Sequence, residues 1–512
     1  MKNLRLNVKN IVLLVIGLNI FAAVVFYLAG YGSPASSTSW GSNQHLPHLP
    51  KRTGIHVETD LESRDLDLKF QGEIPGEAVV RKHGEDAGQR GGGKAPANQK
   101  PFMHKELAKS KQCPQLIEPG PLPEQQRFQP FRAHNRDAFL FSAFYDDRGS
   151  RQKFVRVVGI SSKSQISGFC QLWFENRADP LVISPLSVQP LPEGHGRLYN
   201  SFYFNCPVSG VDGAPYIVSV VPDRCDMPAN RINVLNRAPV DYAKLTGFAV
   251  CMPPFNFGYK RVDQIVENVE LNSLLGADHF TFYNHTLGEP VARVLRDYES
   301  RGTVELVRWH PPVVVDKWPE RVEVEVHYFA QIACLNDCLF RNMKKYKYVV
   351  VTDLDEFAVP RRHRTWRGLI DGIRAKNNGA EPASVMFLNT FFKTEWPDDE
   401  ETGANATLKK LNLESLLKTR REPRVHGAGQ RSKNIVVASR ALVLGVHNVW
   451  EYSGAGSRDS YVCARDEGLL HHYRNWESKG DTNYVKDRHM LTFADDLVKR
   501  VVDAKKRLKL WN

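Results

Sequence analysis

Between Lys9 and Lys51 the chain has no charged side chain, and no cysteine occurs before Cys113. The first absence rules out an ordinary solvated N-terminus, because Ile11 to Gly30 is also mostly apolar. As a helix that stretch would be about 30 Å long, the thickness of a bilayer's hydrocarbon core. Lys2, Arg5 and Lys9 precede it. The positive-inside rule then makes residues 1–10 a cytosolic tail and 11–30 a transmembrane signal-anchor, with the rest of the chain lumenal. A cleaved signal peptide is the alternative, although the apolar run is longer than a usual signal core. Residues 31–112 are poor in large apolar side chains and rich in Gly, Pro, Ser, Lys and Glu. Such a composition cannot offset its ordering entropy and reads as a flexible stem.

All eight cysteines lie beyond the stem, at 113, 170, 206, 225, 251, 334, 338 and 463. An even set on the far side of an anchor points to disulfides in an oxidising compartment, with connectivity left open. No Cys-x-x-Cys pair is present, which argues against a structural zinc site. Cys334 and Cys338, one helical turn apart, read as disulfide partners or buried thiols. The net charge of +12 is spread along the chain, with local clusters at Lys344, Lys345 and Lys347 and at Arg361, Arg362 and Arg364. Behind a membrane, nucleic acid is not an expected partner. Anionic sugar nucleotides or acidic glycans fit better, although surface Lys and Arg chiefly confer solubility.

The lumenal part reads as two domains. In the first, 113–245, short β-rich runs such as Ala138–Tyr145, Val155–Ile160 and Tyr216–Val221 alternate with turns, as in an antiparallel sheet or sandwich. It shows no catalytic constellation. In the second, 246–512, strand and helix alternate. A strand at 247–252 is followed by a helix from Val262 to Leu275 that Gly276 stops, then a strand at His279–Tyr283. A helix from Pro290 to Arg301 and an extended Val304–Val307 come next. A long helix from Val324 to Tyr346 follows, with Tyr328, Ile332, Leu335 and Leu339 on one stripe. The order predicts an α/β domain, a parallel sheet with helices on its faces.

The strand Tyr348–Val351 runs into Asp353 and Asp355. Open α/β sheets bind ligands beyond the carboxyl ends of their strands, so this pair is placed to hold a hard divalent cation and, through it, a phosphate. A metal there would stabilise the charge of a leaving diphosphate. Capping of the next turn is the plainer alternative. The copy at Asp65-Leu66-Asp67 has no strand before it and carries no such meaning. Glu356 either supports the pair or faces solvent. Late in the domain, His471 and His472 offer a third ligand and Arg474 a grip on phosphate. Packing or surface placement is the alternative for the histidines. Arg431 and Lys433, just ahead of a β-rich run, can neutralise diphosphate, with ordinary exposed charges as the alternative. Glu395, Asp398 and Asp399 flank Trp396, and an acid beside a ring that stacks on sugar suits a general base. Glu395 and Asp398 are the base candidates, and a merely polar loop is the plainer alternative. The sequons at Asn284 and Asn405 are glycosylation candidates.

Several segments carry a resemblance in order and spacing: Cys251-Met252, Glu267-Asn268-Val269-Glu270, Leu275-Gly276-Ala277-Asp278-His279-Phe280 and Tyr283-Asn284-His285-Thr286. They continue with Asn336-Asp337-Cys338-Leu339-Phe340-Arg341, Asp353-Leu354-Asp355-Glu356-Phe357, Val446-His447 and His472-Tyr473-Arg474. Over about Phe248 to Trp476 the chain resembles glycosyltransferase family 92. The resemblance implies a GT-A nucleotide-diphospho-sugar transferase fold with a Rossmann-like sheet, inverting chemistry, UDP-galactose as donor and Mn²⁺ as cofactor. It makes Asp353 and Asp355 the metal and diphosphate motif and His472 the late metal ligand. It also sets Tyr283 and Asn284 near the nucleotide, which disfavours a glycan on Asn284. Single-pass animal members that add β1,4-linked galactose to galactose or fucose are similar. They imply a Golgi type II membrane protein acting on glycoprotein glycans. Two rival readings remain. A haloacid-dehalogenase-type phosphatase shares Asp-x-Asp, but Phe357 stands where it normally has Thr or Val. A membrane-anchored lectin would use the acids for structural Ca²⁺.

Overall fold

The computed structural model describes residues 111–510 except 121, 123–125, 134–135, 150–151, 163–165, 316–322, 454–459 and 476–481. The expected tail, anchor and nearly all of the stem lie outside the described residues. Among the described residues no helix is long and apolar enough to cross a membrane.

The β-rich runs form nine strands: β1 (Gln129–Ala133), β2 (Arg136–Asp146), β3 (Lys153–Ser161), β4 (Phe169–Trp173), β5 (Leu181–Pro185), β6 (Ser187–Pro190), β7 (Asn200–Val208), β8 (Ile217–Val221) and β9 (Ile232–Leu235). Their order is β5-β4-β8-β9-β2-β3-β7-β6, with β1 on β2. All pairs are antiparallel except β2 with β9. The Cys170–Cys206 disulfide joins β4 to β7, strands that are not neighbours. The sheet therefore curls over a core that includes Leu140, Val157, Leu172, Phe204 and Val220. Cys113–Cys225 fastens the segment leading into it.

The alternating half begins with β10 (Phe248–Cys251), β11 (His279–Asn284), β12 (Val304–Arg308) and β13 (Tyr348–Val351). It continues with β14 (Glu356–Pro360), β15 (Ser384–Phe387), β16 (Asn389–Phe392), β17 (Arg420–Arg421), β18 (Lys433–Val437), β19 (Ala441–Leu444), β20 (Val449–Tyr452), β21 (Ser460–Val462) and β22 (Gly468–Tyr473). The main sheet runs β12-β11-β10-β13-β18-β15-β21, and β14-β22-β16 form a small one beside it. Strands β10 to β13 pair in parallel, but β18 lies antiparallel to both β13 and β15. The sheet is therefore mixed rather than wholly parallel. The segment leading into β18 is built of short helices and turns rather than one crossover helix, so nothing imposes a parallel entry.

Alternate residues of β10 face different cores, as strand geometry requires. Phe248 and Val250 pack with the helices Val262–Leu275, Glu289–Ser300, Trp366–Lys376 and Ala494–Arg507. Ala249 and Cys251 pack with the helix Gln331–Asn342, and beyond it with Phe141, Phe144, Val158 and Tyr203 of the β-rich sheet. Every residue of that helix is buried. A helix enclosed on all sides must pair its polar groups internally. Asn336 Oδ1 accepts from Tyr203 Oη (2.6 Å) and from the amide of Leu444 (2.8 Å), and Asn336 Nδ2 donates to Leu444 O (2.8 Å). Asp337 accepts from Ser142, Tyr283 and Arg341. Cys338 is disulfide-bonded to Cys251 of β10, while Cys334 and Cys463 remain buried thiols.

The helix Val262–Leu275 has the expected ends, and the next lies at Glu289–Ser300 instead of Pro290–Arg301. The long helix expected from Val324 is shorter, spanning Gln331–Asn342. Its β-branched lead-in is taken by extended pairing: Val326 bridges Tyr199, and the amide of Glu325 donates to Val314 O (2.8 Å). A tight turn, His327–Ala330, then redirects the chain.

Candidate active site

Strand β13 ends the parallel set, and the loop between it and β14 holds Asp353 and Asp355. The amide of Asp353 donates to Glu356 Oε2 (3.0 Å), Thr352 Oγ1 donates to Glu356 O (3.0 Å), and Asn268 Nδ2 donates to Leu354 O (2.9 Å). These bonds fix the loop from both sides. Pairing of β14 with β22 sets Glu356 opposite His472, and β16 sets Phe391 on the other side of the same histidine. The sheet register thus delivers a histidine 117 residues distant in sequence to the acidic loop (472 − 355). His472 Nε2 lies 3.6 Å from Asp355 Oδ2. The amide of Tyr473 donates to Asp355 O (2.8 Å), so the two loops hold each other by backbone.

Lys433, the first residue of β18, places its ammonium 3.2 Å from Asp353 Oδ2 and 3.3 Å from Glu356 Oε2. Its side chain and that of Glu356 are each 1% exposed, whereas Asp353 and Asp355 are 32% and 27% exposed. The site has a closed floor of Lys433 and Glu356 under an open rim of two aspartates. Burial alone would lower the Lys433 pKa, but Asp353 and Glu356 outweigh it and hold the ammonium charged. Burial pushes Glu356 up, helped by Asp353 and Asp355 and opposed by Lys433 and His472. Burial would also raise Asp355, yet His472 and Arg474 hold it below the usual carboxylate range. For His472 burial acts downward, and Asp355 and Glu356 reverse it to a net rise.

Among the described residues no group of three or more His, Cys, Asp or Glu forms a ready metal cage. The donor chemistry fits an open site instead. His472 Nδ1 faces Asn389 Oδ1 (3.1 Å) and Glu356 Oε1 (3.2 Å). These contacts turn Nε2, which is buried, toward Asp355. Its 3.6 Å separation from Asp355 is too long for a hydrogen bond. A carboxylate or amide behind a histidine is the usual support for a metal-binding imidazole. Asp355 and His472 are the residues that would hold a divalent ion, which would supply charge for a phosphate, while Asp353 leans on Lys433.

The other expected residues are scattered by comparison. Arg474 stands directly after β22, close enough to Asp355 to lower its pKa. Arg431 lies with its guanidinium 6.0 Å from the ring of Phe391, which in turn contacts the His472 ring at 4.7 Å. Lys433 is at the site, but its ammonium pairs with carboxylates at the floor. Tyr283 is fully buried and donates its hydroxyl to Asp337, so its side chain belongs to the packed helix and not to the open rim. Asn284 ends β11 with its carbonyl accepting from the amide of Trp309 (2.9 Å). Glu395 is exposed, and its amide donates to Asn475 Oδ1 (2.8 Å), which ties the loop after β16 to the residue after Arg474. Asp398 pairs with Lys418 (2.7 Å), and Asp399 caps the helix Glu400–Ala404 and binds Arg488. Asn405 is exposed and caps the helix Ala406–Leu411 through Oδ1.

Asn389 gave no signal in the sequence, whereas His447 lies in one of the segments that carry the family resemblance. Asn389 orients His472. His447 is lowered to about 3, chiefly by burial and then by Lys433. Tyr328 is raised by burial and by Asp353 and Asp355.

One edge of the sheet thus presents an open acidic pair, an oriented histidine and nearby arginines. Residues 246–506, just over half of the 512-residue chain, match the family described as Glycosyltransferase family 92. The chain belongs to that family and is a glycosyltransferase. It is similar to a Caenorhabditis elegans protein named beta-1,4-galactosyltransferase galt-1, 26% identical over 388 residues, 69% of this chain and 82% of the worm protein. A second Caenorhabditis elegans protein, described as a member of family 92, is 24% identical over 132 residues, 25% of this chain and 26% of that one.

Among solved structures, Staphylococcus aureus TarS 1-349 in complex with UDP aligns at a TM-score of 0.23 and 8% identity, over 44% of this chain and 60% of that one. Glucosyl-3-phosphoglycerate synthase from Mycobacterium tuberculosis, in complex with Mn²⁺, UDP-glucose and phosphoglyceric acid, aligns at 0.21 and 12%, over 53% and 82%. Superpositions this loose carry no argument about the present chain.

Proposed function

We propose that the chain is an inverting, metal-dependent galactosyltransferase with a GT-A fold, moving galactose from UDP-galactose to a galactose or fucose hydroxyl on glycoprotein glycans. The β1,4 linkage follows the name of the worm relative. We place it as a single-pass type II protein of the Golgi membrane, with 31–112 as stem, 113–245 as the β-rich domain and 246–512 as the catalytic domain. The observation that carries the reading is the His472 imidazole, oriented by Asn389 and Glu356 so that its buried Nε2 faces Asp355 at 3.6 Å.

Asp355 and His472 would hold Mn²⁺, which supplies Lewis-acid stabilisation of the departing diphosphate. The protein's own groups do the rest. Lys433 and Glu356 fix Asp353 at the rim beside the diphosphate. Arg474 and Arg431 supply positive charge for the phosphates. Glu395, exposed and positioned through Asn475, is the better placed of the two base candidates, because Asp398 is occupied by Lys418. A general base must reach the acceptor hydroxyl, and the Glu395 loop flanks the His472 strand end.

The test is a donor and acceptor panel. The full-length protein in detergent, with Mn²⁺, is offered UDP-galactose, UDP-glucose and UDP-N-acetylhexosamines against terminal galactosides and fucosides. The expected product is a galactosylated glycan of inverted anomeric configuration, formed from UDP-galactose. Glycan binding with no consumption of any donor would instead point to a lectin.

A further inference from the structure

One loop of the β-rich sheet reaches the ligand edge of the catalytic sheet. Strand β18 lies antiparallel to β13, so its first residues stand at the edge where β13 delivers Asp353, and Lys433 touches that carboxylate at 3.2 Å. The turn of the β19–β20 hairpin is bonded to the same segment. Ser432 Oγ and Asn434 Nδ2 both donate to His447 O, each at 3.1 Å. The turn is thereby fixed beside the acidic loop, and Trp450 is the second residue of the strand that leaves it.

From the β-rich side comes the loop between β6 and β7. Glu193 in that loop accepts from Trp450 Nε1 (2.7 Å) and from the amide of Val446 (3.2 Å). Glu193 and His195 have φ of 64° and 49°, a region that residues with a Cβ seldom adopt. Strain of this kind persists only where the surroundings hold it, and it gathers at ligand sites. A Cβ on Gly445 would overlap both Glu193 Oε1 and Trp450 Nε1, so only glycine admits this approach. One residue along, Gln189 Nε2 donates to both oxygens of Glu451 (3.0 Å), a second bond between the two sheets.

The outcome is an indole that is 45% exposed while its one polar atom is bonded to Glu193. What it offers to solvent is ring, and the C–H face of a hexose packs on such a surface. Charge decides which sugar fits. The groups bonded around the ring are the Glu193 and Glu451 carboxylates and the Gln189 amide, which suit neutral hydroxyls and repel a diphosphate. The cations of the neighbouring segment turn elsewhere, Lys433 to Asp353 and Arg431 toward the ring of Phe391.

We propose that Trp450 is the platform on which a neutral hexose of the acceptor glycan stacks, held in place by Glu193 of the β-rich domain. This rests on the reading of the chain as a transferase that acts on glycans.

Full-length wild type, Trp450→Ala and Trp450→Phe are compared by calorimetric Kd for a galactose-terminated and a core-fucosylated N-glycan. Kd for UDP-galactose with Mn²⁺, acceptor KM, kcat and thermal midpoint are measured alongside. Trp450→Ala is expected to weaken glycan binding and raise acceptor KM by about tenfold, the scale of one lost ring contact. UDP-galactose Kd should stay within about twofold. Trp450→Phe keeps a ring but not the bond to Glu193, and should bind glycan within about threefold of wild type. Hydroxyl-radical labelling of Trp450 in the wild type decides the matter without any variant. Glycan should reduce it by about threefold or more, and UDP should leave it unchanged.

A glycan that leaves Trp450 unprotected overturns the assignment, even if transfer proceeds. So does Trp450→Ala with wild-type glycan Kd, or with equal weakening of glycan and UDP-galactose. A Phe variant as weak as Ala would make Trp450 a strut for Glu193 and not a platform. If glycan protects Trp450 but no donor is consumed, the platform stands and the transferase reading fails.

Discussion

Asp355→Ala is expected to lower kcat/KM for sugar transfer by about a hundredfold or more, the scale on which loss of one preorganised electrostatic contact acts. The fold should survive. Asp355 is 27% exposed at the rim, and its structural bond, from the amide of Tyr473 to Asp355 O, is made by backbone and remains in the variant. The contrast is Lys433, buried at 1% beneath Asp353 and Glu356, whose removal would strand a buried carboxylate and damage the protein itself. Steady-state kinetics alongside a melting curve separates the two cases. Activity within about threefold of wild type would remove Asp355 from the transition state.

Asp487→Ala is expected to cost about 3 kcal/mol of stability, because removing one partner from a buried ion network leaves the others uncompensated. Asp487 is 4% exposed and accepts from Arg361 (2.8 and 3.1 Å) and Arg421 (2.9 Å). The network ties β17 and the loop after β14 to the segment ahead of the C-terminal helix. It also carries a pH dependence of definite sign. Burial would raise the Asp487 carboxyl, but the bonds from Arg361 and the charge of His471 hold it well below the usual range. A carboxylate depressed in the folded state contributes stability that is complete above its unfolded pKa of about 3.9 and is lost as pH falls below that value. Asp146, between Arg148 and Arg156, is depressed in the same way. Denaturant midpoints should therefore fall between about pH 4 and pH 2, and less steeply in Asp487→Asn. A midpoint flat through that window would show that the network contributes nothing.

Elements set by local chemistry were legible in the sequence. The helix Val262–Leu275 ends where Gly276 takes φ of 124°, a conformation for which glycine is suited, and the apolar run Tyr348–Val351 is a strand. The helix Gln331–Asn342 kept its stripe of Ile332, Leu335 and Leu339 but lost its first turns. Pairing of Val326 with Tyr199 depends on a strand partner 127 residues away (326 − 199), which no local periodicity contains. The antiparallel insertion of β18 was hidden for the same reason. It converts Lys433 from a free cation before a strand into the counter-ion of Asp353 and Glu356.

The site was legible in proportion to how much of it is carried by one segment. Asp353 and Asp355 stand out because an apolar strand stops at them. Composition gave no reason to prefer His472 over His471, and family resemblance alone singled it out. The register of β14 with β22 explains the difference physically: His472 faces Glu356 and Asp355, while His471 points to the other side, against the ring of Phe392 at 4.5 Å. Glu356, open to two readings in the sequence, is buried at the floor of the site.

The central claim is that Asp355 and His472 bind a metal-bridged sugar nucleotide. Titration calorimetry of UDP-galactose into the full-length protein, with Mn²⁺ and then with chelator, tests it most directly when wild type and His472→Ala are run side by side. The account predicts that wild type binds at least about tenfold more tightly with Mn²⁺ than without, and that His472→Ala loses most of that gain. Equal affinity with and without the metal, or a gain that persists in His472→Ala, would contradict it.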